Sequence, residues 1–162
     1  MKRGVVSLAA LSLLAISAAS YAGPKGFYWG AKGGILDPDA AETDEGLNVG
    51  GYVGYTLPWL SGLAVEGEAT ITAIKSEANS RKLEVQTIAA YGVWRSKGPI
   101  FFKGKLGVLR ERVEAGTATE TDEGVSFGLG VGFPGPGKHE FEIEYTILEN
   151  DLNFLSVGFT FK

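Results

Sequence analysis

Beyond residue 22 the chain is written with a period of two. Leu47, Val49, Gly51, Val53, Tyr55 and Leu57 oppose Asn48, Gly50, Tyr52, Gly54 and Thr56. Leu63, Val65, Gly67, Ala69 and Ile71 oppose Glu66, Glu68, Thr70 and Thr72. Val125, Phe127, Leu129, Val131 and Phe133 oppose Ser126 and four glycines, and Phe141, Ile143, Tyr145 and Ile147 oppose Glu140, Glu142, Glu144 and Thr146. This is the alternation of strands with two unlike faces, not the 3.6-residue period of a helix. It recurs in eight segments bounded by turn residues: 26–36, 47–57, 63–74, 82–94, 100–112, 123–133, 139–149 and 152–161. Strands of soluble proteins average about 5–6 residues, whereas a tilted membrane-crossing strand needs about 9–11. The lengths therefore predict an all-β fold, an eight-stranded antiparallel up-and-down transmembrane barrel.

The start of the chain fixes its route. Lys2 and Arg3 precede an apolar run from Val5 to Ala19, and Ser20-Tyr21-Ala22 places small residues where a signal peptidase reads. This is the pattern of a secretory signal, too short for a membrane anchor. Residues 1–22 are expected to be removed between Ala22 and Gly23, leaving 23–162 as one barrel domain. Loss of Lys2 and Arg3 from the 15 basic residues, against 19 acidic ones, takes the formal charge from −4 to −6. Such an acidic chain is a poor partner for nucleic acid. It has no cysteine, which excludes disulfides, thiol chemistry and lipid attachment through a lipobox.

Alternation alone does not say which face meets lipid, because a soluble barrel with an apolar inside shows the same pattern. Three features decide it. The connections PWLSG (58–62), RSKGP (95–99) and PGPGK (134–138) are tight, while DPDAAETDE and EAGTATETDE are longer and acidic. Short turns on one side and longer loops on the other mark outer-membrane barrels. Aromatic residues gather at the short-turn end: Phe27, Tyr28, Trp29, Tyr55, Trp59, Tyr91, Trp94, Phe101, Phe102, Phe133, Phe141, Phe159 and Phe161. From these, Phe27, Trp29, Tyr55, Trp59, Tyr91, Phe102, Phe133, Phe159 and Phe161 are assigned to a periplasmic girdle. The opposite end has only Phe127 and Phe154. Finally, Lys32, Glu66, Glu68, Glu84, Lys103, Lys105, Glu142 and Glu144 point away from the apolar face. Inside an eight-stranded barrel, just wide enough for side chains, these would form a charge network with an excess of carboxylates.

The pieces GFYWGAKGGIL, LNVGGYVGYTL, LAVEGEATIT, FFKGKLGVLRE, FGLGVGF, FEIEYT and FLSVGFTFK, in this order, resemble the OmpA-like and opacity-porin group of small outer-membrane barrels. The resemblance spans the mature chain. It implies eight antiparallel strands, periplasmic termini and insertion by the outer-membrane assembly machinery. Two features depart from the group: Lys162 follows the usual terminal aromatic, and the barrel is expected to lack the peptidoglycan-binding domain of the two-domain members.

Chemistry is sparse. Some barrels of this size modify lipid A with a nucleophile and base at the outer rim, but the single histidine, His139, adjoins a short turn and has no serine two residues on. No catalytic residue, cofactor or metal site is therefore expected. The acids Asp37, Asp39, Glu42, Asp44, Glu45, Glu120, Asp122 and Glu123 lack the spacing of a calcium loop, and read as solvated. The loops KSEANSR and ENDL are short, which weakens an adhesin reading because little surface projects for recognition. Gly50, Gly54, Gly124, Gly128, Gly130 and Gly132 are expected inside, relieving crowding beside Tyr52 or Trp94. The expected role is structural or that of a narrow passive pore in a monomer contacting outer-membrane lipids and lipopolysaccharide. A lipid-A-modifying enzyme and a soluble periplasmic ligand-binding barrel are the alternatives.

Overall fold

The computed structural model describes residues 26–38, 46–74, 77–78, 81–115, 118–148 and 152–162. The signal segment with Ala22 and Gly23, and the acids Asp39, Glu42, Asp44 and Glu45, lie outside them. Every regular element described is a strand: β1 (Phe27–Pro38), β2 (Gly46–Thr56), β3 (Leu63–Ile74), β4 (Glu77–Ala78), β5 (Arg81–Arg95), β6 (Phe101–Ala115), β7 (Ala118–Pro134), β8 (His139–Leu148) and β9 (Leu152–Phe161). Each long strand pairs antiparallel with its sequence neighbour. β3 pairs with β5, β4 being a two-residue extension of that hairpin. Pairing of β1 with β9, from Trp29↔Phe161 to Pro38↔Leu152, closes eight strands into a barrel with no free edge along the wall.

The short turns are built by residues suited to them. Gly62 takes φ 81° and its carbonyl accepts from the Arg95 amide at 2.8 Å. A Cβ there would lie 2.6 Å from the Arg95 carbonyl oxygen, so only glycine fits. This contact also fixes the end of β5, from which the Arg95 side chain turns inward.

The apolar face lies outside. Val53 is 52% exposed and Leu106 62%, with Val65, Ile71, Val108, Val125, Leu129, Ile143, Leu155 and Val157 similarly bare. A continuous apolar surface of that extent needs a cover. Charged and polar side chains fill the interior instead, which is a soluble barrel turned inside out.

The second acidic stretch differs from the sequence reading. Instead of a loop, β6 and β7 continue in register to Ala115↔Ala118, whereas β8 joins β7 only from Phe127↔Ile147. The β6–β7 hairpin thus rises beyond the rim. Glu120, Thr121, Asp122 and Glu123 on β7 are all exposed there, so no alternation marks the continuing strand.

Candidate functional site

Among the described residues, functional groups converge in the barrel's interior. Lys32 on β1, Glu66 and Glu68 on β3, Lys103 and Lys105 on β6, and Glu142 and Glu144 on β8 are all buried there. They share the parity of the inward face on strands scattered around the wall. Arg95, which the sequence reading left in a turn, completes the set.

The contacts form a continuous ladder. Nearest the short turns, Arg95 Nη2 reaches Glu66 at 2.7 Å and Glu142 at 3.1 Å. Tyr28 Oη donates to Glu66 Oε1 at 2.7 Å and accepts from Arg95 Nη1 at 2.8 Å. Lys103 lies between Glu66 (3.2 Å), Glu142 (2.9 Å) and Glu144 (2.9 Å). Farther along the axis Lys32 bridges Glu68 (2.8 Å) and Glu144 (2.9 Å), and Lys105 bridges Glu68 (3.0 Å) and Glu144 (2.7 Å). Four cations thus meet four carboxylates. Arg95 brings the described ladder to four and four; Glu140, also buried, pairs with Lys162 instead, and the side chain of Glu84 lies outside the described residues.

Hydroxyl groups and rings fill the remaining section. Thr160 and Thr146 donate to Glu142 and Glu144, at 3.2 and 3.1 Å. Each cation also lies over an aromatic ring: Arg95 over Tyr28 at 5.0 Å, Lys103 over Tyr52 at 5.1 Å, Lys105 over Tyr91 at 4.2 Å and Lys32 over Phe154 at 5.3 Å. Such contacts favour a cation, more so where water is excluded. The space left between Lys32, Tyr52, Lys103 and Glu144 is about 10 Å³, at the lower limit for one water molecule. Toward the long loops Leu36, Val85, Leu109, Leu148 and Phe154 add an apolar layer.

These positions correct several aromatic assignments. Tyr91, expected in the girdle, is only 2% exposed and donates to Ser126 inside the barrel at 3.1 Å. Tyr28 and Phe101 likewise point inward, and so does Phe154 at the other end. Trp94, expected inside, lies on the face opposite its buried neighbours Val93 and Arg95. Phe27, Trp29, Tyr55, Trp59, Phe102, Phe133 and Phe159 are exposed at the short-turn end, with Phe161 partly so. There Trp29 stacks on Phe161 with centroids 4.3 Å apart, and His139 meets Phe161 edge-on at 5.0 Å. Lys162, the unusual terminal residue, forms an ion pair with Glu140. Among the described residues no group of acids and histidines is arranged to hold a metal ion.

Residues 6–161 match the outer membrane protein beta-barrel domain. The chain belongs to that family. It is therefore an integral β-barrel of the outer membrane. Solved structures share the fold. Neisserial surface protein A superposes with a TM-score of 0.63 at 18% identity, over 85% of this chain and 97% of that one. OprG from Pseudomonas aeruginosa gives 0.58 at 11% identity, over 85% and 96%. Ail of Yersinia pestis, in complex with the heparin analogue sucrose octasulfate, gives 0.54 at 14%, over 84% and 97%. No curated relative matches the sequence.

Membership of the family gives the outer surface a measurable property. Leu129 is exposed about midway between Phe133 and Glu123 on β7, near the centre of the apolar band. Leu129→Arg should lower folding stability in lipid vesicles by about 2–4 kcal/mol, the cost of a lipid-facing arginine at the midplane. Denaturant titration followed by tryptophan emission measures it. A loss below about 0.5 kcal/mol, as at an ordinary surface site, would show that Leu129 does not face lipid.

Proposed function

We propose that the protein is a monomeric structural barrel whose lumen is sealed against ions. The observation that carries this reading is the charge balance inside: four cations and four carboxylates within contact distance, with room for about one water among Lys32, Tyr52, Lys103 and Glu144. Ion pairs buried this deeply hold only where the geometry satisfies both partners. In planar bilayers the purified protein is expected to give no resolvable conductance. Discrete channels whose size responds to Glu66→Gln or Lys103→Gln would replace this reading with a narrow pore. That second reading has its own support, since Lys103 touches three carboxylates and can change partners without leaving the network.

The short-turn end is read as periplasmic and the acidic β6–β7 hairpin as external, with residues 1–22 removed at Ala22–Gly23 during export. Insertion is assigned to the outer-membrane assembly machinery, and lipids and lipopolysaccharide are the expected neighbours. A lipid-modifying activity is disfavoured because His139 lies at the short-turn end, against Phe161 rather than beside a nucleophile. Overproduction should leave the lipid A profile unchanged. A folded barrel should also migrate faster on unboiled gels than after heating and fractionate with outer membranes; failure of both would contradict the family's location for this chain.

A further inference from the structure

Asn48 faces inward from β2, in register with Gly34 on β1 and one inward step from Lys32 toward the long loops. It is 1% exposed, and neither its Nδ2 nor its Oδ1 has a hydrogen-bond partner among the described residues. The polar side chains around it are occupied with other groups. Thr70 and Thr87 share a hydroxyl–hydroxyl bond of 2.7 Å, and Ser156 Oγ donates to the Glu144 carbonyl at 3.4 Å. A buried amide left unpaired loses more than a typical hydrogen bond contributes, so its retention at this depth needs a partner.

The wall is irregular at the same height. β2 and β3 pair as Asn48↔Thr72 and then as Leu47↔Ile74, which leaves Ala73 as an extra residue with no partner on β2. On the other side, the register of β3 with β5 ends at Ile71↔Gln86, and pairing with β5 resumes in β4 at Glu77↔Lys82. Thr72 bridges the break with its side chain: Oγ1 accepts from the Val85 amide at 2.8 Å and donates to the Val85 carbonyl at 3.1 Å. The extra residue of a bulge lacks ladder partners for its own backbone groups. Where bulk water is excluded, such groups are met by side chains or ordered water. The inward neighbours of Asn48 on β1 and on its own strand are Gly34 and Gly50, which present no side chain to it. Leu36, Val85 and Phe154 supply the apolar layer beyond, and none of these side chains can bond to an amide.

We propose that Asn48 and the β3 bulge at Thr72–Ala73 form a binding site for one buried water, which completes the wall where the backbone ladder is interrupted. A buried water makes about three hydrogen bonds to groups otherwise unsatisfied. Asn48 offers it both donors and an acceptor, and the bulge offers backbone groups. Nuclear magnetic resonance of the folded protein in lipid nanodiscs tests the site. Rotating-frame cross-relaxation should show a long-lived water in contact with the Asn48 side-chain amide. Asn48→Leu should accelerate amide hydrogen exchange at Thr72 and Ala73 about fivefold to tenfold, as the loss of one hydrogen bond implies. Exchange at Val65, farther down the same strand, should not change. Absence of water contact at Asn48 would overturn the site, and this is read on the unaltered protein even if the variant fails to fold. Unchanged exchange at Thr72 and Ala73 would also overturn it, because the water would then hold no part of the bulge. Equal acceleration at Val65 would do the same, by showing a general loosening of the strand.

Discussion

Replacing Glu144 with leucine is expected to destabilise the barrel by about 3–5 kcal/mol, the cost of removing one partner from a buried charge cluster. Glu144 is the most connected carboxylate of the lumen, contacting Lys32, Lys103 and Lys105 at 2.9, 2.9 and 2.7 Å and accepting from Thr146. Without it, four cations face three carboxylates in a space with room for about one water. Urea unfolding in lipid vesicles, followed through Trp29, Trp59 and Trp94, reports the change. Glu144→Leu/Lys105→Leu restores the balance at three and three, leaving Lys32 on Glu68. That double variant should recover most of the loss, because apolar groups can replace a buried pair at little cost. If Glu144→Leu shifts stability by less than about 0.5 kcal/mol, like a surface change, the network is not holding the interior together.

Gly54→Val should cost at least about 3 kcal/mol, the upper range for overpacking a close-packed core. Tyr28 and Gly54 face each other in register, as do Tyr52 and Gly30 on the same two strands. Each ring lies across the opposite glycine: a Cβ on Gly54 would sit 2.3 Å from Tyr28 Cζ, and one on Gly30 2.2 Å from Tyr52 Cζ. A larger residue at 54 must displace Tyr28, and with it the hydroxyl held by Glu66 and Arg95. Gly67→Val is the matched control. That glycine is on the outer face, and its nearest neighbour to a new Cβ would be Val53 Cγ2 at 3.9 Å. The expected result is loss of the heat-modifiable folded band for Gly54→Val and its retention for Gly67→Val. Similar behaviour of the two variants would mean that the tyrosine–glycine pairs are incidental.

Strand number and the inward direction of seven lumen charges were legible because one face of each strand meets lipid and the other does not. Where that contrast fades, the reading failed. On β5 the inner face carries Val85, Ala89, Tyr91 and Val93, while the outer face carries Ile88, Ala90 and Gly92. Both faces are apolar because the lumen near the long loops is packed with Leu36, Leu109, Leu148 and Phe154. Tyr91 consequently looked like an interfacial aromatic. Arg95 was hidden for a different reason: it precedes Ser96, Lys97 and Gly98, and composition there signals a turn. Its spacing from Tyr91 and Val93 was the available clue, usable only with the face of β5 correctly assigned. The carboxylate excess was itself a signal that a buried cation had been missed.

The lumen charges come from five strands far apart in sequence: one cation from β1, two acids from β3, three cations from β5 and β6, and two acids from β8. No hairpin of neighbours is neutral by itself: β3 with β5 has one acid too many, β5 with β6 has only cations, and the acids that complete the balance come from β8. A partly inserted sheet would hold unmatched ions at membrane depth, which is costly. Intermediates with an open seam are therefore disfavoured relative to both the unfolded chain outside the bilayer and the closed cylinder within it. The same arrangement that fills the finished lumen makes its formation cooperative, with strand insertion and seam closure coupled in a single late step.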